Sequence, residues 1–267
     1  MEIIIRPTAE HAARLVARLV VARVRTTPRL VLGCATGRTM DPVYAELTAA
    51  HRAGEVDLSR LTTFNLDEYV GLPPEDPRSY RRYMRERFFE PVGLPASSTH
   101  LPDGMAPDLA AAARQYEQRI AAAGGIDLQL LGLGVTGHIG FNEPLSSLMS
   151  RTREKALTLE TRQQNAELFG GDSKAVPKRA VTMGVGTILD AREVIMLVTG
   201  GAKAAVLAVA TEGPITARIS ATALQLHPRC AVIVDEAAAA ELEGLEYYRF
   251  LYAEEPEWAP YRADPDL

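Results

Sequence analysis

In the stretch LGLGVTGHIGFNEP (residues 131–144), His138 follows a glycine-bearing turn and a carboxylate, Glu143, stands five residues later. A carboxylate near an imidazole can fix its tautomer and stabilise its cation, the arrangement needed for proton transfer. Asn142 and Pro144 imply a rigid, turned loop. Thr136, two residues before the histidine, carries no charge. The plain alternative is a turn histidine that satisfies a local carbonyl. A second acidic group lies in FNLDEYVGL (64–72), where Asp67 and Glu68 follow an apolar run. Among Phe64, Leu66 and Tyr69 a carboxylate is partly desolvated, which raises its pKa toward that of a useful base. Here the alternative is that both acids cap or solvate a loop.

Two further stretches suit an anion. GCATGRTMDP (33–42) places glycines and hydroxyls between a strand and a helix. Backbone N–H groups there, with a helix N-terminus, form a cradle for negative charge. The segment lacks the G-K-[ST] ending of a P-loop and does not fit G-x-G-x-x-G. An ordinary turn capped by Thr39 is the competing reading. In VTGGAKAAVL (198–207), Lys203 falls in the first turn after a glycine pair. The helix macrodipole disfavours a cation at that end, so a shared anion would explain it, whereas a lysine extended into solvent would not need one.

The elements that must hold these groups recur along the chain. EIII precedes a helical pattern from Ala9 to Thr26, and RLVLGCATG precedes one from Met40 to Ala53. LTTFNLDEY leads to a loop and then SYRRYMRERFF. IDLQLLGLG enters the histidine stretch, EVIMLVTG precedes AKAAVLAVATEG, and CAVIVD precedes a helical pattern over EAAAAELEGL. Val-, Ile- and Leu-rich runs with little alternation suit strands covered on both faces, and their regular succession with helices predicts an open parallel sheet of the α/β class. Such sheets bind ligands beyond the carboxyl ends of their strands. All four polar clusters fall there. Together they suit a phosphorylated small molecule undergoing proton transfer, with no metal and no cofactor required.

Composition agrees. The 267 residues are 47% hydrophobic, enough for one large domain over 1–267, with about 251–267 as a C-terminal extension that is loose or docked. A net charge of −5, from 29 basic and 34 acidic residues, gives no footprint for nucleic acid. Cys34 and Cys230 form no disulfide framework and lack zinc-ligand spacing. The apolar runs near the N-terminus are interrupted by charges and are too short for a signal or membrane segment, so a cytoplasmic protein without membrane partners is expected. A homo-oligomer stays open.

The chain resembles the glucosamine-6-phosphate deaminase/isomerase family along nearly its whole length. TTFNLDEYVGL, GHIGFNEPLSSLMSRTR, TMGVGTILDAREVIMLVTG and LQLHPRCAVIVDE carry the resemblance. The related 6-phosphogluconolactonases share the Gly-His element but continue differently. The resemblance implies a modified Rossmann-like parallel sheet, with helices on both faces and no nucleotide. It implies a hexosamine 6-phosphate substrate. His138 would open the sugar ring, Glu143 would orient His138, and Asp67 would move the C2 proton to C1 before ammonia leaves. Thr36, Gly37 and Thr39 would belong to the phosphate loop, with Lys203 pairing with the phosphate.

Three positions depart from the family pattern. Thr136 replaces an aspartate that polarises the histidine, leaving Glu143 to suffice. Glu167, in TRQQNAELF, stands where the family's mobile lid carries a phosphate-binding arginine. Either the lid sits elsewhere, or Arg162 or Lys174 takes that role, or the substrate differs. Arg38 stands in the phosphate loop where a small residue is usual, and its guanidinium can grip a phosphate bidentately in place of the lid arginine. SSLMSRTREK matches the part that binds an N-acetylated sugar phosphate activator in hexameric members, which makes Ser147, Arg153 and Lys155 candidates; surface charge is the alternative. Two other functions stay open: a dehydratase that eliminates water from N-acetylglucosamine 6-phosphate, and a non-catalytic phosphosugar sensor.

Overall fold

The computed structural model describes residues 1–263. Strands β1 (Glu2–Arg6), β2 (Val31–Cys34), β3 (Thr62–Asn65), β5 (Thr99–His100), β6 (Leu128–Gly132), β9 (Glu193–Val198) and β10 (Cys230–Asp235) form one sheet in the order β1-β10-β9-β6-β2-β3-β5. Every pairing in it is parallel. The near-continuous apolar runs have their expected cause. All four residues of β2, and all of β9 except Glu193, are buried, and each buried Val, Ile or Leu side chain contributes about 1.5–3 kcal/mol.

Helices α1 (Ala9–Thr26), α2 (Asp41–Arg52), α4 (Leu109–Ala122), the short α6 (Val185–Leu189) and α7 (Ala204–Glu212) lie in the crossovers. α1 begins at Ala9 because the Thr8 side chain accepts from the His11 N–H. Its buried face is Ala12, Leu15, Val16, Val20 and Val24, at helical spacing. SYRRYMRERFF is helical too: α3 (Tyr80–Met84) runs into a wide π-type turn over Arg85–Phe89.

One feature differs from the sequence reading and two refine it. Asp67 and Glu68 follow β3, as read, but through a change of sheet. The Leu66 N–H reaches the Cys34 carbonyl and the Leu66 carbonyl accepts from Met183, so the chain leaves the main sheet at Leu66. Residues Asp67–Tyr69 then form β4 of a second, antiparallel sheet with β8 (Arg179–Thr182) and β7 (Arg153–Ala156), in the order β4-β8-β7. Residues 236–244 form turns, not a helix. The Asp235 carboxylate takes the Ala238 N–H at 2.7 Å, as a helix N-cap does, but the turn does not continue: the Glu243 and Gly244 N–H groups go to the Glu212 carboxylate and not to carbonyls four residues back. The extension is docked and helical as far as it is described, with α8 (Leu245–Glu254) followed by α9 (Ala259–Arg262). Trp258 is buried and its indole N–H donates to Glu2 at 2.7 Å; residues 264–267 of that extension lie outside the described residues. No described helix is long and apolar enough to cross a membrane.

Candidate active site

The four polar clusters follow β9, β6, β2 and β3, which are consecutive neighbours in the sheet. The connections run outward in both directions from the β6–β2 boundary, the kind of switch point where open sheets leave a crevice. A cavity of about 550 Å³ lies there. It is lined by Thr36, Gly37, Arg38 and Thr39 after β2, Asp67 after β3, His138 after β6 and Lys203 after β9. The excursion between β7 and β8 covers one side through α5 (Leu159–Gln164) and a turn at Ala166–Phe169, contributing Gln164, Asn165, Glu167 and Leu168.

His138 is buried (6% exposed) and its Nδ1 lies 2.8 Å from Thr136 Oγ1. Glu143 stands 3.7 Å from the same nitrogen, outside hydrogen-bond reach. Thr136 is therefore the direct partner of the imidazole, and Glu143 acts from behind it. The nearby carboxylate favours the proton on Nδ1, leaving the Nε2 lone pair free to accept. Burial lowers the His138 pKa, Glu143 opposes this and Lys203 adds to it, so the ring is neutral and basic near pH 7. The ring rests against Gly134, where a Cβ would come within 2.1 Å of Nε2. That explains the second glycine of GLG: it yields the space the imidazole occupies.

Glu143 is itself held. Its Oε1 accepts the Thr158 N–H at 2.9 Å, and the Thr158 hydroxyl lies 3.3 Å from each carboxylate oxygen. Thr158 is the N-cap of α5, so the covering segment is tied to the carboxylate behind the histidine. Asn142 donates to the Ile139 and Met183 carbonyls and accepts from Arg153 at 2.7 Å, which fixes the turn expected from FNEP.

Asp67 lies where the chain changes sheets. It is 6% exposed, and burial first, then the charge of Glu68, push its pKa up to about 8, against one N–H from Phe141. That N–H is shared with Thr182 Oγ1 at 3.0 Å. Gly140, with φ +54°, lets the loop pass close by; a Cβ there would meet Thr182 Oγ1 at 3.0 Å and Asp67 Oδ2 at 3.4 Å.

At the other end of the cavity, Lys203 closes a short turn, Gly201–Lys203, and occupies the N-cap position of α7. Its Nζ is buried without a hydrogen-bond partner among the described residues, and burial lowers its pKa to about 8. The Thr36 and Thr39 side chains make no hydrogen bond among the described residues, and Thr39 does not cap α2, whose N-cap is Met40. An unpartnered ammonium, free hydroxyls and loop N–H groups lining one cavity make surroundings suited to an anion. Arg38 meets Glu167 at 2.5 Å across the mouth of the cavity, with side chains 81% and 72% exposed. The two departures from the family pattern are thus partners. Arg162 donates to the Ser173 carbonyl within the covering segment, and neither it nor Lys174 lines the cavity.

Sequence reasoning missed Arg78, Tyr83 and Arg87, which also line the cavity. Arg78 is gripped by Asp76 through two bonds of 2.8 and 2.7 Å and covers Phe169. The run of arginines in PRSYRRYMRER was the available signal, unreadable until α3 was placed. No hydrogen bond joins Ser147, Arg153 and Lys155 to one another among the described residues, and Arg153 donates to Asn142. A second cavity of about 540 Å³, lined by Arg23, Glu193, Arg229 and Glu2, lies at the amino ends of β1, β9 and β10; both arginines pair with Glu193.

Residues 6–232 match the model of the glucosamine-6-phosphate isomerases/6-phosphogluconolactonase family, and the chain belongs to that family. A glucosamine-6-phosphate deaminase of Streptomyces coelicolor is 48% identical over 97% of this chain and 99% of its own length. One from Hahella chejuensis is 48% identical over 95% and 97%. Among solved structures, a monomeric glucosamine-6-phosphate deaminase superposes with a TM-score of 0.88 at 40% identity, covering 90% of this chain and all of that one. The 6-phosphogluconolactonase of Trypanosoma cruzi, at 22% identity and a TM-score of 0.73, shares the fold.

Proposed function

We propose that the protein converts glucosamine 6-phosphate to fructose 6-phosphate and ammonia. One observation carries this reading: a neutral histidine, a carboxyl raised to about 8 and an unpartnered ammonium face one cavity from adjacent strand ends. The names of close, full-length relatives favour deamination over the dehydratase and sensor alternatives.

The phosphate binds Lys203, the Thr36 and Thr39 hydroxyls and the N–H groups of the Gly37 loop, with Arg38 at the rim. His138 accepts the anomeric hydroxyl proton at Nε2 and returns one to the ring oxygen, so the C1–O5 bond opens to the aldehyde. Only the open form acidifies C2, so this step comes first. Asp67 removes the C2 proton and a proton passes from the ammonium nitrogen to O1, giving an enolamine; Asp67 then delivers its proton to C1. The C2 iminium that results adds water, and ammonia leaves from the carbinolamine to give the ketone. Two acid–base groups are needed because the protons move at opposite ends of the reacting carbons. Thr136 holds His138 without adding charge, which keeps the imidazole neutral.

The test is to incubate the protein separately with glucosamine 6-phosphate and its N-acetyl form. Ammonia and fructose 6-phosphate in equal amounts from the first, and no unsaturated product from the second, are expected. Formation of an ultraviolet-absorbing enal from the N-acetyl sugar, with no ammonia from the amine, would overturn the reading.

A further inference from the structure

Glu68 has no part in the steps above, yet it is buried beside the C2 base at 4% exposure. Its carboxylate accepts three backbone N–H groups, from Tyr69 at 2.8 Å, Tyr80 at 3.1 Å and Arg81 at 2.9 Å. A proton on Oε1 would displace one of them, since Tyr69 and Tyr80 occupy both its lone pairs, and a proton on Oε2 would have to share that oxygen with the Arg81 N–H. Burial raises the Glu68 pKa, and the N–H groups of Arg81, Tyr80 and Tyr69 pull it back. No side-chain cation forms an ion pair with it among the described residues. Among the described residues Asp67 has only the shared Phe141 N–H. When the pair carries one negative charge, that charge therefore sits on Glu68 and the proton on Asp67. Successive side chains of a strand point to opposite faces, and accordingly Asp67 lines the cavity while Glu68 does not.

The other ionisable groups around Asp67 do not supply a compensating charge there. The Tyr69, Tyr80 and Tyr116 phenols and the Cys34 thiol are pushed up by burial and stay neutral. His138 is lowered and neutral. Arg81 acts on Glu68, and Lys203 faces the cavity from the β9 end.

We propose that Glu68 is the residue that makes this cavity select an ammonium sugar: its fixed charge behind Asp67 keeps that carboxyl protonated until a ligand brings a positive charge to C2. The inference deepens the deaminase reading of the same site and rests on it. An ammonium on the carbon that Asp67 deprotonates lies within a few ångströms of the carboxylate. An opposite charge at that range lowers a carboxyl pKa by about 1–3 units. The base is then created by the substrate that needs it. An N-acyl nitrogen brings no charge, so its sugar meets a protonated Asp67 that cannot abstract a proton.

The test uses an open-chain 2-amino alditol 6-phosphate and its N-acetyl derivative, which lack the C1 carbonyl and cannot react. Both are titrated calorimetrically at pH 7 into the wild-type protein, Glu68→Gln and Glu68→Asp. The carboxyl band of Asp67, assigned by its loss in Asp67→Asn, is followed by infrared titration of the free proteins. Binding of the amine at pH 7 should release about one proton per site from the wild type, read from the heat in buffers of different ionisation enthalpy, and binding of the amide should release none. In Glu68→Gln, where Asp67 titrates about one unit lower and is already partly ionised, the release should fall to about half. Glu68→Asp, which restores the charge, should keep most of the release. An unchanged release and titration in Glu68→Gln would overturn the proposal. So would a release lost with the titration unmoved, or an Asp variant that behaves like Gln. Since neither probe turns over, these outcomes are separate from a failure of the wild type to release ammonia, which would overturn the deaminase reading instead.

Discussion

Replacing Lys203 with methionine should make the empty protein more stable and the liganded protein weaker. The Lys203 ammonium is buried without a partner, and burial lowers its pKa from 10.5 to about 8. At ~1.4 kcal/mol per unit that difference is about 3 kcal/mol, which the partly exposed stem reduces to about 2 kcal/mol. Folding lowers this pKa, so the unfolded chain binds more protons between about pH 8 and 10.5. The penalty is complete below pH 8 and fades as the pH rises through 10.5. Methionine fills similar space without a charge, so Lys203→Met should gain about 2 kcal/mol in urea unfolding at pH 7 and little at pH 10.5. A bound phosphate turns the liability into a charge-assisted contact whose loss costs about 2–5 kcal/mol. Sugar phosphates should therefore raise the unfolding midpoint of the wild type and leave the variant nearly unmoved. A destabilised variant at pH 7, or equal protection of both proteins by ligand, would refute the reasoning.

Other perturbations test the rest of the cavity. Thr136→Val removes the 2.8 Å partner of His138 and should lower kcat/KM about 10-fold, one hydrogen bond of about 1–1.5 kcal/mol. Thr136→Asp should instead move the histidine limb of the pH–rate profile up by about 1–2 units; an unmoved limb would remove Thr136 from the proton-transfer site. The Arg38–Glu167 pair is exposed, so breaking it should change stability by less than about 1 kcal/mol. Arg38→Ala should nevertheless weaken sugar-phosphate binding about 10-fold and Glu167→Gln should strengthen it; unchanged affinity in Arg38→Ala would end its assignment to the phosphate. Gly134→Ala drives a methyl into the His138 ring and should cost more than about 100-fold in kcat, as a displacement of about 1 Å does, with a native circular dichroism spectrum separating this from unfolding.

Much of the fold was legible because buried parallel strands need unbroken apolar runs, and each polar cluster had to follow one of them. The strand β3 and its acidic tail were harder. Nothing local in LTTFNLDEY marks Leu66 as the point where the chain changes sheets; the carbonyl of Cys34 and the N–H of Met183, both remote in sequence, decide it. The alanine run after Asp235 misled for the same reason, since the Glu243 and Gly244 N–H groups that would continue a helix go to the Glu212 carboxylate, remote in sequence.

The sequence alone determined the chemical inventory: an imidazole after β6, a carboxyl pair after β3, a hydroxyl-rich loop after β2 and a lysine after β9. Those follow from chain order and from the rule that open sheets present ligand sites at their carboxyl edge. Tertiary structure decided which strands are neighbours, and hence that these four ends face one cavity. It also decided that Arg38 and Glu167, distant in the chain, are partners, that Thr136 and not Glu143 touches the imidazole, and that Glu68 stands behind Asp67 out of the cavity. Burial and through-space charge depend on three-dimensional distance, and distance is set only when the chain is folded.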